Sequence, residues 1–275
     1  MRREETATAG ALVPPEAWEG RNAAVNPRDI EPRPARRYLD FELDRVFRRR
    51  LGPGSGRLLV EAGCGASLWL PYFARRLGWS VAGLDYSETG LAACREILRR
   101  NGVQAKLWKA DLRDGPLPAD REAYDAVFSL GLVEHFEHPE AVLAILAEFL
   151  RPGGMLLTWI PNLAGFIPRL NPVLDRRYRG IYSRLDLPLL AALHRRLGLE
   201  VLQASYIQLL DLSFLSLDPL PGPLRRAVGL AFRASGLALM GLEKALGRPV
   251  QSRWLCAGAV VAARRPAASS VRSSS

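Results

Sequence analysis

The stretch Arg57–Ser67, RLLVEAGCGAS, constrains this chain more than any other. Leu58, Leu59 and Val60 form a short apolar run that suits a buried strand, and the run ends in an acid, Glu61. A tight glycine turn follows at Gly63 and Gly65, and then an apolar helix over Leu68–Leu77. Glycine accepts the left-handed backbone such a turn demands and lets main chain approach a ligand closely. The helix start beyond it offers N–H groups with no partner inside the helix. An open α/β sheet builds a ligand pocket from a strand, a glycine turn and a helix in that order.

The rest of the chain repeats the unit. Ahead of it, Leu39, Leu43, Val46, Phe47 and Leu51 recur at helical spacing, which predicts an amphipathic helix over Arg36–Leu51. Arg48–Arg50 suit the negative end of its dipole and read as a solvated basic end, and Gly52-Pro53-Gly54 stops it. Strand Ser80–Asp85 leads to helix Glu88–Arg100, with Ser87 as its N-cap and Asn101-Gly102 as its stop. Strand Ala105–Lys109 follows. Strand Tyr124–Leu130 leads to helix Pro139–Leu150, which ends at Pro152-Gly153-Gly154 before strand Met155–Ile160.

After Pro161 the pattern loosens. Asn162–Asp186 reads as an insertion rich in Arg and Tyr, Leu187–Leu197 as a helix, and Glu200–Tyr206 as a strand. Asp211–Gly247 is mixed and apolar, and Trp254–Ala263 reads as a last strand. Repeated strand–helix pairs predict an α/β fold: a doubly wound, mostly parallel sheet with helices on both faces.

Composition narrows the class. The chain has 275 residues, 48% of them hydrophobic and 24% charged, which is enough for one sizeable core. No charge-free apolar run reaches the roughly 20 residues of a membrane span. MRREETATAG lacks the apolar core of a secretion signal. Cys64, Cys94 and Cys256 are scattered without ligand spacing, so we expect neither a disulfide framework nor a metal site, and a reduced, cytoplasmic setting. The net charge is +10, yet lysine occurs only at 106, 109 and 244. Such an arginine skew fits GC-rich coding, and no interleaved aromatic pattern points to nucleic acid.

The ordered motifs carry a resemblance. E-A-G-C-G at Glu61–Gly65 resembles motif I of the class I S-adenosylmethionine (SAM) methyltransferases. Asp85 ends the second strand, Asp111 follows the third in LWKADLRD, and YDAVFSLGLVEHF resembles the family's motif IV. FLRPGG then matches the turn before its fifth strand. The resemblance covers Leu58–Ile160. It implies a Rossmann-like, seven-stranded sheet with a small insertion and C-terminal cap, SAM as cofactor, and methyl transfer. It implies cofactor contacts from Glu61, Gly63, Gly65 and Ser67, from Asp85 and Tyr86, from Asp111 and Leu112, and from Ser129 and Leu130. Asp85 would accept from the ribose hydroxyls and Asp111 from the adenine amino group. Where the family has a third motif I glycine this chain has Ser67, a residue able to donate to a carboxylate or to cap the next helix.

Other readings stay open. A dinucleotide site wants G-x-G-x-x-G, and Leu68 stands at the last position, which disfavours an NAD(P)-dependent oxidoreductase. A SAM-fold protein that binds without transferring methyl is the other alternative. His135 is the candidate base, at the sheet edge where open α/β folds bind ligands, with a structural hydrogen-bonding role as its rival. His138 reads as part of a helix start, His194 as a helix-surface residue and Cys64 as a small turn residue.

The expected partners are a small-molecule, lipid or glycan-type acceptor, with no nucleic acid. Residues 1–35 are expected to be an irregular lid, 36–265 the methyltransferase domain and 266–275 a disordered tail. Pro15–Arg37 and a cap over 162–186 should cover the acceptor. Arg176, Arg177, Tyr178, Arg179, Tyr182 and Arg184 either form a solvated Arg-rich loop, the reading favoured here, or hold an anionic acceptor. The basic amphipathic segment 221–248 either packs on the core or touches an anionic membrane.

Overall fold

The computed structural model of the 275-residue chain describes residues 10–13, 18–19, 31–115, 118–176, 180–212 and 215–267. Its strands are β1 (Leu58–Ala62), β2 (Ser80–Asp85), β3 (Ala105–Lys109), β4 (Tyr124–Leu130), β5 (Leu150–Pro161), β6 (Glu200–Leu209) and β7 (Cys256–Arg264). Its helices are α1 (Tyr38–Arg50), α2 (Trp69–Leu77), α3 (Glu88–Arg100), α4 (Pro139–Glu148), α5 (Phe166–Leu174), α6 (Leu187–Arg196) and α7 (Gly222–Leu246). The sheet has seven strands in the order β3-β2-β1-β4-β5-β7-β6. Strands β1 to β5 pair in parallel, and β7 runs antiparallel to both of its neighbours.

Period-two alternation splits the core between the two faces. Val60, Val127, Leu156 and Ile160 pack with Leu143 of α4 and Leu190 of α6. Leu59, Phe128 and Leu157 pack on the other face with Leu43 and Phe47 of α1, Phe73 of α2 and Leu91 of α3. The chain runs outward through β1, β2 and β3, then returns to lay β4 against the other side of β1. That reversal opens a crevice at the carboxyl ends of β1 and β4.

Several expectations are corrected. α4 ends at Glu148, and β5 starts at Leu150 rather than Met155. Leu150 pairs with Tyr124, and the register then slips before Ala126 meets Met155, so the L-R-P-G-G turn lies within a bulged strand start. The stretch Asp211–Gly247 is mixed only at its start, because the expected amphipathic segment 221–248 forms a 25-residue helix, α7. The part of the N-terminal segment that is described is not irregular throughout: Ala11 forms an antiparallel bridge with Phe136. Residues 1–9, 14–17 and 20–30 of the expected lid, and 268–275 of the expected tail, lie outside the described residues.

α7 is tied to α1 by a buried acid pair. The Tyr38 hydroxyl donates to Glu243 Oε1 at 2.9 Å, and the Val250 amide donates to the same oxygen at 3.0 Å. Arg45 grips Glu42 at 3.0 and 2.7 Å and reaches Glu243 Oε2 at 3.3 Å. One guanidinium cannot neutralise two buried carboxylates. Burial, and then a hydrogen bond shared with Glu243, push Glu42 up to about 9.

The sign of the consequence follows from proton counts. An unfolded Glu42 ionises near the ordinary glutamate value of about 4.3, so in the window up to 9 the folded chain holds the extra proton. Its contribution to stability is full below the unfolded value and is lost as pH rises through that window. Glu134, buried and pushed up to about 8, acts in the same sense. His194, fully buried rather than on the helix surface expected of it and lowered by that burial to about 4, acts oppositely but only below the usual imidazole value of about 6.5. The melting temperature is therefore expected to fall between pH 7 and 9, with a shallower slope in Glu42→Gln. A melting temperature that stays level or climbs over that range contradicts the shared proton.

Candidate active site

The glycine turn forms because β1 and β2 pair in register. Ala62 lies beside Leu84, so the chain leaving β1 passes the end of β2. The amides of Gly63 and Cys64 both donate to the Leu84 carbonyl, at 2.9 and 3.0 Å. Gly63 has φ +70, and a Cβ there would meet the Leu132 side chain at 2.9 Å. Gly65, at φ +42, donates its amide to Asp85 Oδ2 at 2.7 Å. The acid at the end of β2 thus holds the turn after β1. Its other oxygen accepts from the Ser87 amide at 2.8 Å. Burial pushes the Asp85 carboxyl up, while the amides of Ser87 and Gly65 pull it down.

Ser67 does both things its chemistry allows. Its hydroxyl donates to Glu61 Oε2 at 2.5 Å and accepts from the amides of Trp69 and Leu70 at 3.0 and 3.2 Å. It caps α2 while fixing the acid that ends β1. Glu61 is buried, and burial holds its carboxyl well above the usual range against the pull of Ser67. Cys64 is buried too. Its thiol is pushed well up, first by a hydrogen bond to Cys94 and then by burial, which suits a turn residue and not a nucleophile.

These groups line a cavity of about 360 Å³. Glu61, Gly63, Gly65, Ser67, Asp85, Tyr86, Asp111, Leu112, Leu130 and His135 all face it. Ser129 is the exception: it is fully buried within β4 and is not among the lining residues. Strand alternation turns it inward, and Gly131, at φ +65, supplies the open backbone two residues on. Asp111 caps a short 3-10 turn and is gripped by Arg113, with contacts at 2.9 and 2.5 Å. That pairing holds its carboxyl below the usual carboxylate range.

His135 is 6% exposed at the far wall. Its Nδ1 is 2.8 Å from the Ile181 carbonyl, a contact that requires a proton on Nδ1 and makes Nε2 the ring's acceptor. Trp18 meets the ring edge-on at 4.8 Å, and Tyr182 lies against it at 5.1 Å. The backbone here is clamped by the N-terminal segment. Leu12 donates to the His135 carbonyl at 2.8 Å, and Glu137 donates to that of Gly10 at 2.7 Å.

The expected acceptor cap is partly corrected. No described residue of 162–186 lines the cavity; Ile181 and Tyr182 reach it only through His135. Arg184 faces a separate surface depression beside Glu137 and Arg196, and Arg177, Tyr178 and Arg179 lie outside the described residues. The wall is built by Trp18, Pro32 and Arg37 within the expected cover Pro15–Arg37, by Ala11 and Val13 before it, and by Leu39 and Asp40 of α1 after it. The sequence reading missed the α1 residues. Their one available signal was that the polar entry of an amphipathic helix precedes β1 directly.

Comparison with known proteins agrees with this geometry. Residues 59–154 match a family model described as "Methyltransferase domain". A ubiquinone biosynthesis O-methyltransferase of Cereibacter sphaeroides is 32% identical over 123 residues, 44% of this chain and 49% of that protein. A sarcosine/dimethylglycine N-methyltransferase of Halorhodospira halochloris is 32% identical over 130 residues, 46% of each. The matches thus span about half the length of these relatives. Among solved structures, the geranyl diphosphate C-methyltransferase of Streptomyces coelicolor, in complex with Mg2+, geranyl diphosphate and S-adenosylhomocysteine, superposes with a TM-score of 0.53. That likeness covers 82% of this chain and 81% of the other at 16% identity, and it speaks for the fold. The matched segment carries β1 to β4 with their strand-end acids and glycine turn, so over these residues the chain is similar to the methyltransferase domain of the class I SAM-dependent methyltransferases.

Proposed function

We propose that the chain binds SAM in this cavity and transfers its methyl group to a small acceptor with an apolar body, lipids included. The observation that carries the reading is the set of three acids, Glu61, Asp85 and Asp111, around a glycine turn in one cavity. The cofactor fits this donor set. Asp85 suits the ribose hydroxyls and Asp111 the adenine amino group. Burial holds the Glu61 carboxyl well above its usual range, and a cationic ammonium beside it would favour the charged form. A pyrophosphate would meet these same acids with unfavourable charge, and Leu68 occupies the position a dinucleotide motif gives to glycine.

SAM supplies an electrophilic methyl on a sulfonium, so the protein's work is mainly alignment. Val13, Trp18, Leu39, Leu132 and Phe136 form an apolar wall that favours a lipophilic acceptor and excludes water. His135 Nε2 can take a proton from an acceptor that must lose one. The relatives' names span O-, N- and C-methyl transfer, and the histidine favours an acidic donor atom such as a hydroxyl.

The test is incubation with methyl-labelled SAM and fractionated extracts of the source cell. Label is expected in an apolar small-molecule or lipid fraction. SAM binding with no labelled product in any fraction would instead favour a binding protein without transferase activity.

A further inference from the structure

Among the described residues, every exposed large apolar side chain lies at or beyond Phe166. Five of them fall on α7: Leu224, Leu230, Leu237, Leu242 and Leu246, each between 47% and 60% exposed. The helix buries only a thin seam, Gly236, Met240 and Glu243, against α1. At about 100° per residue, the exposed leucines bound an arc of roughly half the circumference. The remaining positions in that arc are mostly exposed alanines. Its one hydrogen-bonding side chain, Ser235, is half-buried and donates its hydroxyl to the Phe232 carbonyl at 2.8 Å. Arg226, Arg233 and Lys244, all exposed, share one edge of the arc. The helix has a single acid, Glu243, and that is buried in the latch to α1.

We propose that this face of α7 lies on the surface of an anionic lipid bilayer. No helix among the described residues is long and apolar enough to cross a membrane, so the helix would rest in the interface. A continuous apolar arc edged by cations is what an interfacial helix requires. A protein partner would more often find polar groups at the rim on both sides of the stripe. A second copy would add like charge to like charge. The latch joins α7 to α1, whose Leu39 and Asp40 line the cavity, so docking sets the bilayer one helix away from the site.

The full chain should be floated with vesicles of phosphatidylcholine alone and of phosphatidylcholine mixed with phosphatidylglycerol. Binding is expected to be at least tenfold stronger on the anionic vesicles and to weaken as salt screens the charges. Each cation near such a surface is worth about fivefold, so Arg226→Glu with Arg233→Glu should lower binding by at least tenfold. Leu230→Gln with Leu237→Gln should abolish it at an unchanged melting temperature, because both sites are exposed. Three results would overturn the proposal: a parent that ignores lipid charge or does not float, a leucine variant that floats like the parent, or a parent dimer that the leucine variant makes monomeric. None of these readouts needs a methyl donor, so they stand or fall apart from the transferase reading.

Discussion

His135→Ala is expected to lower turnover by about 10²-fold or more while leaving the affinity for SAM nearly intact, the usual size of a general-base effect. The ring donates from Nδ1 to the Ile181 carbonyl, so Nε2 carries the lone pair. A base works unprotonated, so the parent's turnover should rise with pH as the base loses its proton. His135→Asn separates chemistry from placement, because its amide can still donate toward Ile181 but cannot serve as a base. Both variants should be slow. If the asparagine variant recovers most of the turnover, the ring positions the wall between Trp18 and Tyr182 and takes no proton.

Asp85→Ala should weaken SAM binding by at least tenfold. Hydrogen bonds to a charged group are worth roughly 1.5–3 kcal/mol each, and tenfold is about 1.4 kcal/mol. This carboxylate also holds the amides of Gly65 and Ser87, so its loss frees the glycine turn as well as the ribose. The fold should survive, because the strand pairing of β1 and β2 does not pass through the side chain. Calorimetry of the variant, with circular dichroism to confirm folding, reads the effect. Unchanged affinity would mean that the ribose is held by other groups.

The half of the site built by β1 to β4 was legible because its signals are local. β2, β3, β4 and α3 have the bounds their residues predict. Ser87 caps α3 as expected, accepting from the Gly90 amide at 2.9 Å. Buried parallel strands read as short apolar runs, and glycine, serine and proline punctuate them.

What escaped the sequence depends on distant partners. Nothing local marks Ala11 as the partner of Phe136, or Tyr38 and Arg45 as partners of Glu243. The L-R-P-G-G turn misled for a different reason. Its proline and glycines read as a break between helix and strand, while the strand already begins at Leu150 and absorbs the break as a bulge.

The most direct measurement is a calorimetric titration of the purified chain with SAM and, separately, with NAD. One SAM per chain should bind, and S-adenosylhomocysteine should compete for the same site, while NAD gives no heat of binding. Saturable binding of NAD with none of SAM would contradict the account at its centre.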